Sequence, residues 1–275
     1  MADLLLLVSN PPYPDIDPDR LASLFGVSRA EAAMKIRNPG PEVWLADTDR
    51  GVVDQQRAAF TDAGLATRIV TPAALGDLSE RSTLRRFAFE HEGDRGCTLH
   101  LELLTGERQR YVSDHPGVAV LCRPTQLDDV QYLSFRQAAA AANRNPSLRQ
   151  QARASLSAIP DAQLDRSFID LYVTEGGRTL RYTIPNGVTS FDGLGPAMAR
   201  TGRKNQDLFL DALADRFPEI RIDRRLDPAP VPRITLLGDR TLRAHLGAVR
   251  ADLGEIDEYD LLSRLAFLSA GGFDD

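Results

Sequence analysis

The sequence predicts an α+β protein with a small first domain, a strand-rich second domain and a helical C-terminal segment. Three observations lead to this fold class. Residues 1–72 alternate short apolar runs with stretches of helical period. Residues 83–222 show the two-residue alternation of half-buried strands, and residues 233–275 return to helical patterning. We expect residues 71–82 to link the first two domains, because they have turn composition.

Each element of the first domain has a local signal. Residues 4–8 form an apolar run, typical of a buried strand, that stops at the prolines of residues 10–12. Residues 18–25 have helical period, and Ser28 with Glu31 forms a capping box that starts a second helix.

A second strand is predicted at residues 43–46 and a third helix at residues 50–63, where Asp47 and Asp49 provide N-cap chemistry. Gly64 ends that helix, and residues 65–70 form a third strand. The predicted order is therefore β-α-α-β-α-β.

This order, with three local segments, resembles the C-terminal domain of the ribosomal stalk protein and the related Clp protease adaptor fold. Residues 25–32 resemble that family's turn into its second helix, and residues 39–41 break the chain where the family breaks it. Residues 58–70 resemble its last helix, glycine and strand. The resemblance implies a module that docks other proteins.

The second domain contains about six strands and a late amphipathic helix. The strand signals are alternation at Leu99, Leu101 and Leu103, a turn at Thr105-Gly106, strands at residues 109–113 and 117–122, and a hairpin at residues 168–173 and 180–184. With a helix at residues 205–217, this pattern resembles a pleckstrin-homology-like barrel split by a helical insertion at residues 130–160.

The insertion is a basic segment. It carries Arg136, Arg144, Arg149 and Arg153 and no acidic residue, so these arginines are our candidate binding residues for an acidic partner. A solvated helix with long arginine side chains would give the same pattern, and we favour that interpretation.

The end of the chain offers a second unusual surface. A proline-rich connector is expected at residues 227–232, followed by two helices. The last helix has an apolar stripe at Leu261, Leu262, Leu265 and Leu268. Such a stripe has to be covered. The body of the chain is the expected cover, and a homodimer is the alternative.

One motif could carry chemistry. Residues 9–13 follow an apolar strand and contain Asn10-Pro11-Pro12-Tyr13, which resembles the motif of S-adenosylmethionine-dependent amino-methyltransferases. Residues 191–195 resemble the cofactor-binding F-x-G-x-G of that family. In the simpler interpretation the prolines end a strand and the glycines form a turn.

Other candidates have structural explanations. The four histidines lack metal-ligand spacing, the aspartates at residues 15–19 and 47–49 suit helix capping, and Trp44 on a strand is typical of a core residue. We therefore assign no catalytic, cofactor-binding or metal-binding residue. We expect a non-enzymatic protein-binding or adaptor module, with the methyltransferase as the alternative.

Composition sets the remaining expectations. The 275 residues carry a net charge of −6, so we expect no nucleic-acid partner. Cys97 and Cys122 form no C-x-x-C motif and are expected to be reduced and buried. The run at residues 4–8 is too short to span a membrane, and we expect a cytoplasmic protein.

Overall fold

A computed structural model describes residues 5–25, 28–37, 39–91, 96–112, 115–124, 167–229 and 258–270. The strands are β1 (Leu5–Ser9), β2 (Glu42–Asp47), β3 (Thr67–Val70), β4 (Ser82–His91), β5 (Cys97–Leu103), β6 (Arg108–Val112), β7 (Gly117–Pro124), β8 (Phe168–Glu175), β9 (Arg178–Pro185) and β10 (Ile220–Ala229). The α-helices are α1 (Pro18–Phe25), α2 (Arg29–Arg37), α3 (Arg50–Asp62), α4 (Pro72–Gly76), α5 (Gly202–Arg216) and α6 (Glu258–Ala270), and a 3₁₀ helix spans Asp192–Ala197.

The α+β class is confirmed, and so is the β-α-α-β-α-β order of the first domain. Its three strands form an antiparallel sheet in the order β2-β1-β3. Leu7 on β1 packs with Ile36, Trp44 and Phe60 beneath the helices, in a core from which water is excluded. Successive side chains of a strand point to opposite faces, so the other face of β1 is also apolar.

The predicted caps start and stop these helices. The backbone N–H of Glu31 donates to the Ser28 hydroxyl at 3.1 Å, which is one half of the capping box. Asp49 accepts hydrogen bonds from the first turn of α3. Gly64 has a φ of 88°, a conformation that other residues rarely adopt, and it turns the chain into β3.

The second sheet has seven strands in the order β10-β7-β8-β9-β4-β5-β6. The β4-β9 and β10-β7 pairs are parallel, and the others are antiparallel. Helix α5 closes one face, which we call the inner face, by packing Phe209 and Leu213 against strand residues such as Phe87 and Leu171. The six strands predicted between residues 84 and 220 are all present, and β10 is the seventh.

Helix α6 lies between the two sheets. Leu261 and Leu265 pack on the outer face of the small sheet, next to Val8 and Val70. Leu262 and its neighbours on the opposite side of the helix pack on the outer face of the large sheet. The helix is therefore buried on two sides.

Arginines from both sheets cap the C-terminal end of α6. Arg68 of β3 donates to the carbonyl of Leu268 at 2.7 Å. Arg221 of β10 donates to the carbonyl of Ala270. The last carbonyls of a helix lack partners within the helix and carry partial negative charge, so these cations satisfy and stabilise them.

Two sequence-based expectations need correction. Residues 71–82 contain α4 rather than only a linker, because Thr71 caps the helix, Pro72 suits its first position, and Leu75 is fully buried. Residues 227–229, expected in the proline-rich connector, belong to β10, and an edge strand tolerates proline. The apolar stripe of α6 packs on the two sheets of the chain itself, which is the cover that the sequence led us to expect.

The insertion at residues 130–160 lies outside the described residues. Within the part of the chain that is described, no helix has the length and apolar character needed to cross a bilayer.

Replacing Leu265 with alanine should lower the free energy of unfolding by about 2–5 kcal/mol, since the side chain is only 1% exposed and its loss leaves a cavity. Urea unfolding followed by far-UV circular dichroism and by the fluorescence of Trp44 measures the effect. Because α6 packs on both sheets, the two signals should shift together. The control Leu104→Ala, at a site 54% exposed, should change stability by less than about 0.5 kcal/mol. A Trp44 transition that does not move in Leu265→Ala would contradict this packing.

Candidate functional site

The outer face of the large sheet is divided into two halves. Over β7, β8 and β9 the outward side chains pack against α6, as Val120, Cys122 and Tyr172 do. Over β4, β5 and β6 no described helix covers the outward side chains, and most of them are charged or polar. The register places Arg86, Glu102 and Arg108 side by side across these three strands.

Four arginines occupy this open half, and we call them the basic patch: Arg85, Arg86, Arg108 and Arg110. Arg110 follows Arg108 by two positions, so both side chains project from the same face. Arg85 lies at an irregularity in the β4-β5 register, which brings its guanidinium to 3.5 Å from Glu102. Arg86 and Arg108 reach the same carboxylate at 2.6 and 3.4 Å.

Glu102 is the acidic centre of the basic patch. Its side chain is only 12% exposed, whereas those of Arg86 and Arg108 are 58% and 78% exposed. A hydrogen bond from Arg86 is the main reason that the pKa of Glu102 lies below its ordinary value, and the charges of the three nearby arginines add to the effect. One carboxylate serves several guanidinium groups, so the patch keeps an excess of positive charge.

A second charged cluster is buried beneath α6. Asp170 of β8 accepts hydrogen bonds from Arg181 at 2.5 Å and from Thr183 and Ser263, each at 2.6 Å. Arg181 also contacts Asp260 of α6. Arg264 donates to the other oxygen of Asp260 at 2.5 Å.

The cluster joins three parts of the chain. Arg264 also donates to the carbonyl of Leu75 in α4, and Arg181 donates to the carbonyl of Leu78 just after that helix. Burial alone would lower the pKa of Arg181, but the charge of Asp170 and the groups around it raise it above its ordinary value. Arg181 is therefore held charged, and the cluster fixes the position of α6 on the sheet. Because it is closed to solvent, we interpret it as structural.

Replacing Arg181 with methionine should cost about 3–5 kcal/mol of stability, because Asp170 and Asp260 would keep buried charge without their main partner. The matched variant Arg86→Met removes an arginine from an exposed ion pair and should cost at most about 1 kcal/mol. Chemical denaturation of both variants measures the difference. Equal losses would show that the buried cluster does not hold α6 in place.

The Asn10–Tyr13 segment has a local structural role. The Tyr13 hydroxyl donates to the carbonyl of Ala66 at 2.7 Å, and its backbone N–H donates to the carbonyl of Ile36 at 2.8 Å. Burial raises the pKa of Tyr13. The oxygen of the Asn10 side chain is buried and has no hydrogen-bond partner among the described residues.

The second segment of the methyltransferase hypothesis lies in a different core. Phe191 is buried under the inner face of the large sheet, whereas Tyr13 packs in the core of the small sheet. A Cβ atom at Gly193 would lie 2.1 Å from the carbonyl oxygen of Phe87, so close packing alone requires glycine there. The structure does not bring the two segments together into one site.

The remaining sequence candidates are placed as follows. Trp44 is fully buried and donates to the Ser9 hydroxyl at 2.7 Å, so its interpretation as a core residue is confirmed. Both cysteines are buried, as expected. Asp17 and Asp49 accept hydrogen bonds from nearby backbone N–H groups, as capping requires. Within the described ranges, no group of three or more His, Cys, Asp or Glu residues could hold a metal ion.

The candidate binding arginines of the insertion, Arg136, Arg144, Arg149 and Arg153, lie outside the described residues. The basic patch was not among the sequence candidates. Its signals were present as Arg85-Arg86 and as Arg108 with Arg110. These pairs are separated along the chain, and only the strand register brings them together.

Searches of protein-family models, of curated proteins and of solved structures found no match to this chain.

Proposed function

We propose that this protein is a protein-binding module that docks an acidic segment of a partner on the basic patch. The observation that supports the proposal is the excess of exposed guanidinium groups on the open half of the large sheet. The chain as a whole has a net charge of −6, so this surface opposes the overall charge. The stalk-like resemblance of residues 1–72 also points to a docking module.

The charges set the expected strength of binding. A single exposed ion pair contributes about 0–1 kcal/mol, because water screens it and two long side chains lose freedom. Four arginines on one face act together, steer an acidic partner and raise its association rate. Binding should therefore weaken as salt rises.

Arginine is suited to this task because its planar guanidinium can hold a carboxylate with two hydrogen bonds. Arg86 already binds Glu102 in this way through Nε and Nη2, at 2.9 and 2.6 Å from one carboxylate oxygen. Arg108 and Arg110 are more exposed to an incoming partner, since they lie on the outermost strand of the sheet.

The arginines of the insertion remain a separate prediction, as does the methyltransferase alternative. The placement of Tyr13 and Phe191 in different cores does not favour the methyltransferase. Titration calorimetry with S-adenosylmethionine tests that alternative directly, and binding lost in Asn10→Ala would support it over the docking module.

The double variant Arg86→Glu/Arg108→Glu should weaken binding of fluorescent poly-glutamate by roughly 10-fold to 100-fold at about 50 mM salt. The difference should shrink at about 500 mM salt, where exposed charges are screened. Fluorescence anisotropy with the full chain measures both values.

Two controls make the result specific. Arg50→Glu reverses an arginine of similar exposure (61%) on α3, and it should leave the affinity within about 2-fold. The variant Arg144→Glu/Arg149→Glu separates the insertion from the patch. A loss in the insertion variant alone would move the docking surface to residues 130–160 and refute the proposal.

A further inference from the structure

In the described part of the chain, strand β6 forms one edge of the large sheet and pairs only with β5. Its backbone pairing can be worked out from the turn that precedes it. The N–H of Leu103 donates to the carbonyl of Glu107 at 2.9 Å, which makes these two residues a hydrogen-bonded pair. In an antiparallel ladder such pairs alternate with pairs that exchange no backbone hydrogen bonds.

The alternation determines which residues of β6 face outward. Gln109 and Tyr111 oppose Leu101 and Leu99, so they are the next hydrogen-bonded pairs with β5. The N–H and C=O groups of Arg108 and Arg110 must then point away from β5, towards the free edge. Among the described residues, none donates to or accepts from these four groups.

The same two residues supply both the free backbone groups and half of the basic patch. Their side chains lie on the open face, about 7 Å apart along the strand, since each residue of an antiparallel strand advances about 3.4 Å. Residues directly opposite each other on paired strands share a face. A strand added to β6 would therefore place the side chains opposite Arg108 and Arg110 beside the arginines.

We propose that β6 accepts an extended acidic segment of a protein partner as an additional antiparallel strand of the large sheet, which rests on the docking function proposed above. The segment carries acidic residues at two positions separated by one residue, opposite Arg108 and Arg110. Backbone hydrogen bonds supply affinity and the alternating acids supply specificity. Antiparallel addition continues the β4-β5-β6 meander.

The charges of β6 favour an acidic segment of a partner over a second copy of the chain. Pairing β6 with another β6 would bring arginines of both strands together, and like charges on opposed residues destabilise a ladder. The arginines therefore protect the edge from self-association and leave it open to a strand of opposite charge.

Short labelled peptides test the mode of binding to the full chain. The first probe, Thr-Val-Glu-Val-Glu-Val-Thr, has the predicted spacing. The second has the same composition with adjacent glutamates. In the third and fourth, N-methyl groups block either the two glutamate amides, which would face β6, or the two flanking valine amides, which would face away.

The spaced peptide should bind roughly 10-fold tighter than either of two others. The peptide with adjacent glutamates loses an ion pair, and the peptide blocked at its glutamate amides loses backbone hydrogen bonds to β6. Blocking the valine amides should have little effect. If all four peptides bind equally and Arg108→Glu weakens them all, the docking function stands and strand addition is refuted. If none binds, the docking function fails with it.

Variants of β6 test the same point from the protein side. Arg110→Ala removes the side chain and keeps the outward N–H, whereas Arg110→Pro removes both. The proline variant should bind the spaced peptide roughly 10-fold more weakly than the alanine variant. The two melting temperatures should be close, because this N–H has no partner among the described residues. Equal affinities would refute strand addition.

Sedimentation with phosphatidylserine vesicles tests a lipid surface as the alternative partner. If the protein binds vesicles but none of the peptides, and Arg108→Glu abolishes vesicle binding, the partner is a lipid surface and the proposal is refuted.

Discussion

The burial of α6 between the two sheets is the constraint on which the rest of the fold depends. Both sheets have apolar residues on two faces, and the helices of each cover only one. Residues of α6 complete both cores, with Leu265 on one side and Leu262 on the other. The apolar contacts are not strongly directional, so they do not by themselves fix where the helix lies along the sheet. The charged cluster of Asp170, Arg181 and Asp260 does, because each group has to meet its partner.

The width of one helix explains why the outer face of the large sheet is apolar under α6 and charged or polar over β4, β5 and β6. Seven strands at about 4.8 Å spacing make a sheet roughly 29 Å wide, whereas a helix with its side chains is about 10–12 Å across. A single helix cannot cover this width. Apolar side chains such as Val120 and Tyr172 lie outward on β7 and β8 beneath α6, whereas Arg86 and Arg108 lie outward on β4 and β6. The surface that we propose for docking is the part that no described helix covers.

Local signals in the sequence predicted most elements, because capping, glycine turns and residue alternation act over a few neighbouring residues. Ser28, Asp49 and Gly64 each mark a boundary that the structure has. Helix α4 was missed although Thr71-Pro72 is a good start signal, because five residues are too few to show a helical period. The site was harder to predict. Arg86 and Arg108 become neighbours only through pairing with β5, and spacing along one strand does not reveal its neighbours.

The position of α6 in the chain has a consequence for how the protein folds. The helix follows every strand of both sheets, and its contact from Leu268 to Arg68 joins residues that are 200 positions apart. The chain loses entropy when such a long loop closes, before the contacts that stabilise the closed state have formed. Proteins dominated by distant contacts therefore fold slowly. Until α6 arrives, the apolar outer faces that include Val8 and Tyr172 lack the leucines of that helix. A nascent chain therefore passes through a stage in which the apolar outer faces of both sheets are exposed where α6 later packs. We expect chaperones to bind the chain during that stage.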